Sequence, residues 1–149
     1  MSITKRQIIS AALTSVLLTL PQISIAAGAN KEILGSYLAI QEKLAADTIE
    51  GVSSVSKELA AQAAKGKGSA ALAKIEKGAR AVGSAKSVKA ARQEFKALSD
   101  AMIEWNRQAK NPGTDEVYCS MAPGSWLQKS GPVANPYYGK QMLRCGEKR

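Results

Sequence analysis

Asn111 divides this sequence into two chemically different halves. Of the five prolines in the 149 residues, only Pro21 lies before it, whereas Pro112, Pro123, Pro132 and Pro136 follow it. Gly113, Gly124, Gly131, Gly139 and Gly146 are interleaved with them. A proline inside a helix costs about 3 kcal/mol, so long helices are confined to the stretch before Asn111. That stretch is rich in Ala, Lys and Glu. The later stretch is punctuated every few residues by turn formers.

The N-terminus carries Lys5 and Arg6, an apolar run from Ile8 to Leu20, and small residues around Ala26. This is the pattern of a secretory signal, with cleavage expected after Ala26. The run is shorter than the roughly 20 residues a membrane span needs, so residues 1–26 are set aside as a signal peptide and no stable membrane insertion is expected afterwards. Export implies an oxidising compartment, the periplasm if the source is a Gram-negative bacterium.

Four helical patterns follow. The first runs from an Asn30 cap to Ala46, with Ile33, Leu34, Tyr37, Leu38 and Leu44 on one face. Asp47 is read as the cap of a second, Thr48 to Ala64, whose stripe is Ile49, Val52, Val55, Leu59 and Ala63. Ser69 caps a third, Ala70 to Val82, weakened by Gly78 and stopped by Gly83 and Ser84. Ser87 starts the fourth, to about Ala109, with Val88, Ala91, Phe95, Leu98, Met102 and Trp105 inward. The expected fold is therefore all-α: an antiparallel four-helix bundle over residues 27–110. Residues 111–149 form an ordered, irregular C-terminal loop of the same domain, packed on the bundle. Order is expected because four of the seven aromatic residues, Tyr118, Trp126, Tyr137 and Tyr138, lie in this tail. They supply bulk that the Ala-rich helices lack.

The formal charge is +9, and much of the excess lies between Lys65 and Lys96, where Glu76 and Glu94 are the only acidic residues. Such a surface attracts anionic partners, although a solvated helix face is the simpler reading. Nucleic acid is not expected, because the chain is read as exported and Phe95, the one aromatic residue in this run, lies on the inward face of the fourth helix, where it cannot stack bases.

The chain has no histidine, which removes the commonest general base, the commonest metal ligand and any Ser/His/Asp or Cys/His catalytic pair. No glycine-rich phosphate loop and no paired carboxylates occur, so neither an enzyme nor an organic cofactor is expected. Sulfur is the remaining chemistry. Cys119 and Met121 share a face if the segment is extended, and Met142 and Cys145 share one on a helical turn. Brought together, Cys119, Met121, Met142 and Cys145 would offer soft ligands for Cu(I) or Ag(I). Alternatively Cys119 and Cys145 form a disulfide, worth roughly 3 kcal/mol for a loop of this length, and the methionines are core. The two readings compete, because a metal needs the thiolate. Asn135, Pro136, Tyr137, Tyr138 and Gly139 read as a rigid turn docked on the helices, with Trp126 as a further structural or partner-facing anchor.

Four islands of the tail carry a resemblance. They are Tyr118-Cys119-Ser120-Met121-Ala122, Trp126-Leu127, Asn135-Pro136-Tyr137-Tyr138-Gly139 and Met142-Leu143-Arg144-Cys145-Gly146. In this order they resemble the domain-of-unknown-function 3347 family of exported helical domains. Tyr37-Leu38-Ala39-Ile40 and the run Ala91 to Ser99 are similar to its first and fourth helices. Members occur alone or fused to periplasmic adaptor subunits of copper and silver efflux pumps. The resemblance therefore implies envelope metal handling, with copper the expected ion; the alternative function is a disulfide-stapled interaction module that docks on an efflux or other envelope protein through its basic helices or its aromatic tail. Ser120 stands where that family commonly has proline, and family histidines that could assist a metal are absent.

Overall fold

The computed structural model describes residues 23–109 and 111–149; most of the expected signal segment, residues 1–22, lies outside them. Four helices come first: α1 Ile23–Ala45, α2 Val52–Ala64, α3 Ala70–Ser84 and α4 Val88–Ala109. Their stripes pack as the spacing requires. Tyr37, Leu44, Val52, Leu59, Ile75, Val82, Phe95, Leu98 and Met102 are all fully buried.

Two of the expected caps hold. Ser69 Oγ accepts from Leu72 N at 3.3 Å, and Ser87 Oγ from Ala90 N at 3.2 Å. The other two are corrected. Helix α1 runs continuously through Asn30, so that residue caps nothing. Helix α2 begins one turn later than expected, after Gly51. Asp47 adopts a left-handed backbone (φ 60°) and turns the chain away from α1, while its carboxylate accepts from Arg92 of α4 and from Lys140 N of the tail instead of from an α2 amide. Gly78 has a packing role: a Cβ there would come within 3.0 Å of the Leu98 Cα, so its absence lets α3 and α4 approach closely.

The all-α expectation is overturned by the tail, which carries a three-stranded antiparallel sheet in the order β2-β1-β3. Strand β1 is Thr114–Cys119, β2 is Gly124–Lys129 and β3 is Glu147–Lys148. β1 and β2 form a hairpin in register from Thr114↔Lys129 to Cys119↔Gly124, and β3 adds Val117↔Lys148 and Tyr118↔Glu147. The fold is mixed α and β. The prolines and glycines do not keep the tail irregular. They mark the ends of two six-residue runs, which is where strands tolerate them.

Strand β2 packs against both α1 and α4, so the sheet and helices share one core. Tyr37 of α1 stacks on Phe95 of α4 with centroids 5.1 Å apart. Tyr137 lies 6.1 Å from Phe95 and meets Trp126 edge-on at 5.6 Å. Polar bonds fix this aromatic column: Leu127 N donates to the Tyr37 hydroxyl at 3.1 Å, and the Tyr137 hydroxyl donates to Ser125 O at 2.6 Å. Each aromatic pair contributes about 0.5–1.5 kcal/mol beyond its buried area.

Candidate functional site

The two cysteines arrive from different elements. Cys119 ends β1, where the alternation that buries Val117 also buries Cys119. Cys145 lies on the turn between the 3-10 helix Gly139–Met142 and β3, a turn in which Cys145 N donates to Met142 O at 3.0 Å. What holds this second arm in place is the buried Asn135. Its Nδ2 donates to Cys145 O at 2.8 Å, and its backbone N donates to Leu143 O at 2.8 Å. Its Oδ1 accepts from Tyr137 N at 2.8 Å and Tyr138 N at 3.2 Å. One side chain thus closes the Asn-Pro-Tyr-Tyr turn and anchors the cysteine-bearing backbone.

This arm is tied to the helices by a second cluster. Arg92 donates from Nε to Pro136 O at 2.7 Å and from Nη2 to Leu44 O at 2.8 Å and to Asp47 Oδ1. Lys140 N donates to Asp47 Oδ2 at 2.9 Å. The Lys140 amide and the Arg92 guanidinium together hold the Asp47 carboxyl below the usual carboxylate range. Gln41 of α1, also buried, donates to Ala134 O at 2.6 Å.

The outcome is that Cys119 Sγ and Cys145 Sγ stand 2.7 Å apart. Ordinary non-bonded contacts are about 3.5–4.0 Å, and a disulfide is about 2.05 Å. The pair is therefore poised for bonding. As thiols, the two are not equivalent. Burial pushes the Cys119 thiol up, but the Cys145 thiol and the backbone N–H groups of Ala122 and Met121 outweigh it, and the net shift is down. Ala122 N lies 3.4 Å from Cys119 Sγ. Cys145 is pushed up, chiefly by its bond to Cys119 and then by burial. When the pair is reduced, the two thiols lose their protons in coupled steps that belong to the pair. Access runs the other way: Cys119 is buried and Cys145 half-buried. A cleft of about 220 Å³ opens over both, lined also by Tyr118, Ser120, Gly146 and Glu147.

Neither methionine lines that cleft. Met121 sits on the hairpin turn, 64% exposed, and faces a separate cleft with Arg92, Lys96 and Tyr137. Met142 ends the 3-10 helix, half-buried. Cys119 and Met121 do not share an extended face because β1 ends at Cys119 and the chain turns there. The structure brings the two cysteine sulfurs together, and neither methionine joins them in the lining of the cleft over them. Among the described residues no three His, Cys, Asp or Glu side chains converge as a metal-binding group, and no helix is long and apolar enough to cross a membrane.

Trp126, Asn135, Pro136, Tyr137 and Gly139 are buried, and Tyr138 is half-buried. These residues build the clasp. Two residues of the clasp were not foreseen in this role: Asp47, read as a cap, and Arg92, read as part of a solvated basic face. The spacing held a clue for Arg92, which precedes Phe95 by three and so lies on the inward side of α4. No family model, curated protein or solved structure matches the chain.

Proposed function

We propose that this chain is an exported, non-enzymatic binding domain whose Cys119–Cys145 pair is a redox-gated site for a soft metal ion, with copper as the expected cargo. The observation that supports it is the meeting of two thiols, 26 positions apart, at the mouth of one cleft. In an oxidising compartment the pair loses two protons and two electrons to an envelope oxidant and closes as a disulfide. In the reduced state it offers two thiolates, the donor type that selects Cu(I).

The donor set fits such an ion after one adjustment. Two sulfurs sharing an ion through bonds of about 2.3 Å stand farther apart than 2.7 Å unless the angle at the ion is acute. The thiols must part before they hold it. The Cys145 side chain, half-buried at the cleft, is the one with room to rotate while its backbone stays held; Cys119 is buried at the end of a paired strand. The four tail islands give the same reading from sequence, since the family they resemble is associated with copper and silver efflux.

The test is a Cu(I) titration against a competing chelator, run on protein as the cell exports it. The fully reduced chain should take up one equivalent, and the oxidised chain none. Cys119→Ser and Cys145→Ser should each lose the uptake, and Met121→Leu should retain it. Uptake by the serine variants at wild-type strength would overturn the assignment.

A further inference from the structure

We infer that the cleft between α4 and the tail is a docking site for an acidic segment of a partner protein, one that carries an apolar side chain among its carboxylates. The cleft encloses about 690 Å³, within the range of about 300–1,000 Å³ that ligand-holding clefts occupy. None of the cysteines lines it, so the inference stands apart from the metal reading.

One wall is α4, which presents Lys89, Arg92 and Lys96 at helical spacing along a single face. Among the described residues the only carboxylate in the lining, Asp47, is already committed to Arg92 and to Lys140 N. Lys89, exposed near the start of α4, pairs with no carboxylate among the described residues. The cleft is therefore net positive. The opposite wall is the hairpin turn, with Met121 and Pro123. Among the described residues the exposed large hydrophobic side chains are Met121 and Ile49, and Met121 is the more exposed by far, at 64% against 37%. A flexible thioether held in water beside a basic wall is suited to an apolar side chain of a partner.

The distribution of donors favours an extended acidic segment over a compact anion. Arg92 gives its donors to Pro136 O, Leu44 O and Asp47. Lys96 Nζ donates to Pro123 O at 3.0 Å and lies 5.4 Å over the Tyr137 ring. No free guanidinium fork is left to grip a phosphate in two places. The remaining attraction is spread along the wall, which matches carboxylates spaced along a peptide.

The experiment is fluorescence anisotropy with a labelled peptide of alternating glutamate and aspartate around one leucine, titrated with oxidised protein purified as exported. Saturable binding that weakens as salt rises is expected. Lys89→Glu should weaken it by about tenfold, and Met121→Gln, which adds no charge, by about fivefold. Both sites are exposed, and a glutamate near the start of α4 complements the helix dipole, so these variants fold. Lys65→Glu, in the α2–α3 connection, should change affinity by less than about twofold. An equal loss with Lys65→Glu would reveal diffuse charge attraction and overturn the proposal. Binding to phosphatidylglycerol vesicles without binding to the peptide would overturn it in favour of a membrane surface.

Discussion

Gly139 occupies a position that no other residue suits. Its φ of 58° lies in the left-handed region, and a Cβ there would fall inside contact distance of the Asp47 carboxylate and the Arg92 guanidinium. Gly139→Ala should cost about 1–3 kcal/mol in urea unfolding, because it both strains the backbone and pries apart the clasp. An unchanged midpoint would show that the clasp carries no stability. Ser56 is the opposite case: it is fully buried on α2 and its Oγ has no hydrogen-bond partner among the described residues. Ser56→Ala removes an unsatisfied hydroxyl and should raise stability by about 1 kcal/mol in the same assay. A loss of stability would mean that the hydroxyl is satisfied.

At the scale of elements, the helices were largely legible because their ends are set locally. Ser69 and Ser87 each cap the helix that follows, and the apolar stripes repeat at the expected spacing. Asp47 misled because its partners, Arg92 and Lys140, are remote in sequence, and tertiary bonds outcompeted the local cap. The strands were not legible for a related reason. Trp126, Leu127 and Gln128 are consecutive and all buried, since residues 132–137 cover one face of β2 while Leu127 faces the other way. The alternation that announces a half-exposed strand is therefore missing there. The aromatic column joining these elements makes a prediction about alkali. Burial pushes the Tyr37 and Tyr137 hydroxyls well above their ordinary 10.0. In the unfolded chain both ionise near pH 10, so their contribution to stability is complete below that pH and is lost as the pH rises beyond it. Absorbance at 295 nm during a base titration should show Tyr37 and Tyr137 ionising only as helical circular dichroism collapses, and Tyr37→Phe and Tyr137→Phe should each remove part of that late step. Ionisation of either hydroxyl while the helical signal holds would contradict this.

The whole molecule is a helical layer whose open side is filled by its own tail, and the thiol pair sits where the tail's two arms meet. That each cysteine belonged to a compact tail could be read from the density of aromatics. That their sulfurs meet could not, because 26 positions of turn-rich chain permit many closures. Asn135 and Arg92 select one of them through bonds invisible to local patterns. Closing this loop constrains the unfolded chain, so reduction should lower stability by about 3 kcal/mol and speed hydrogen exchange at β3 and the Asn135 turn before the helices. Exchange accelerated uniformly across the protein would show that the tail is not a separate unit. The most direct measurement is the intact mass of the protein, taken from the envelope fraction, denatured and alkylated without reductant. The expected result is a chain lighter by two hydrogens and carrying no alkyl group, which takes up two alkyl groups only after reduction. A chain that is alkylated at both Cys119 and Cys145 from the outset, and that cannot be oxidised to the closed form in a redox buffer, would contradict it.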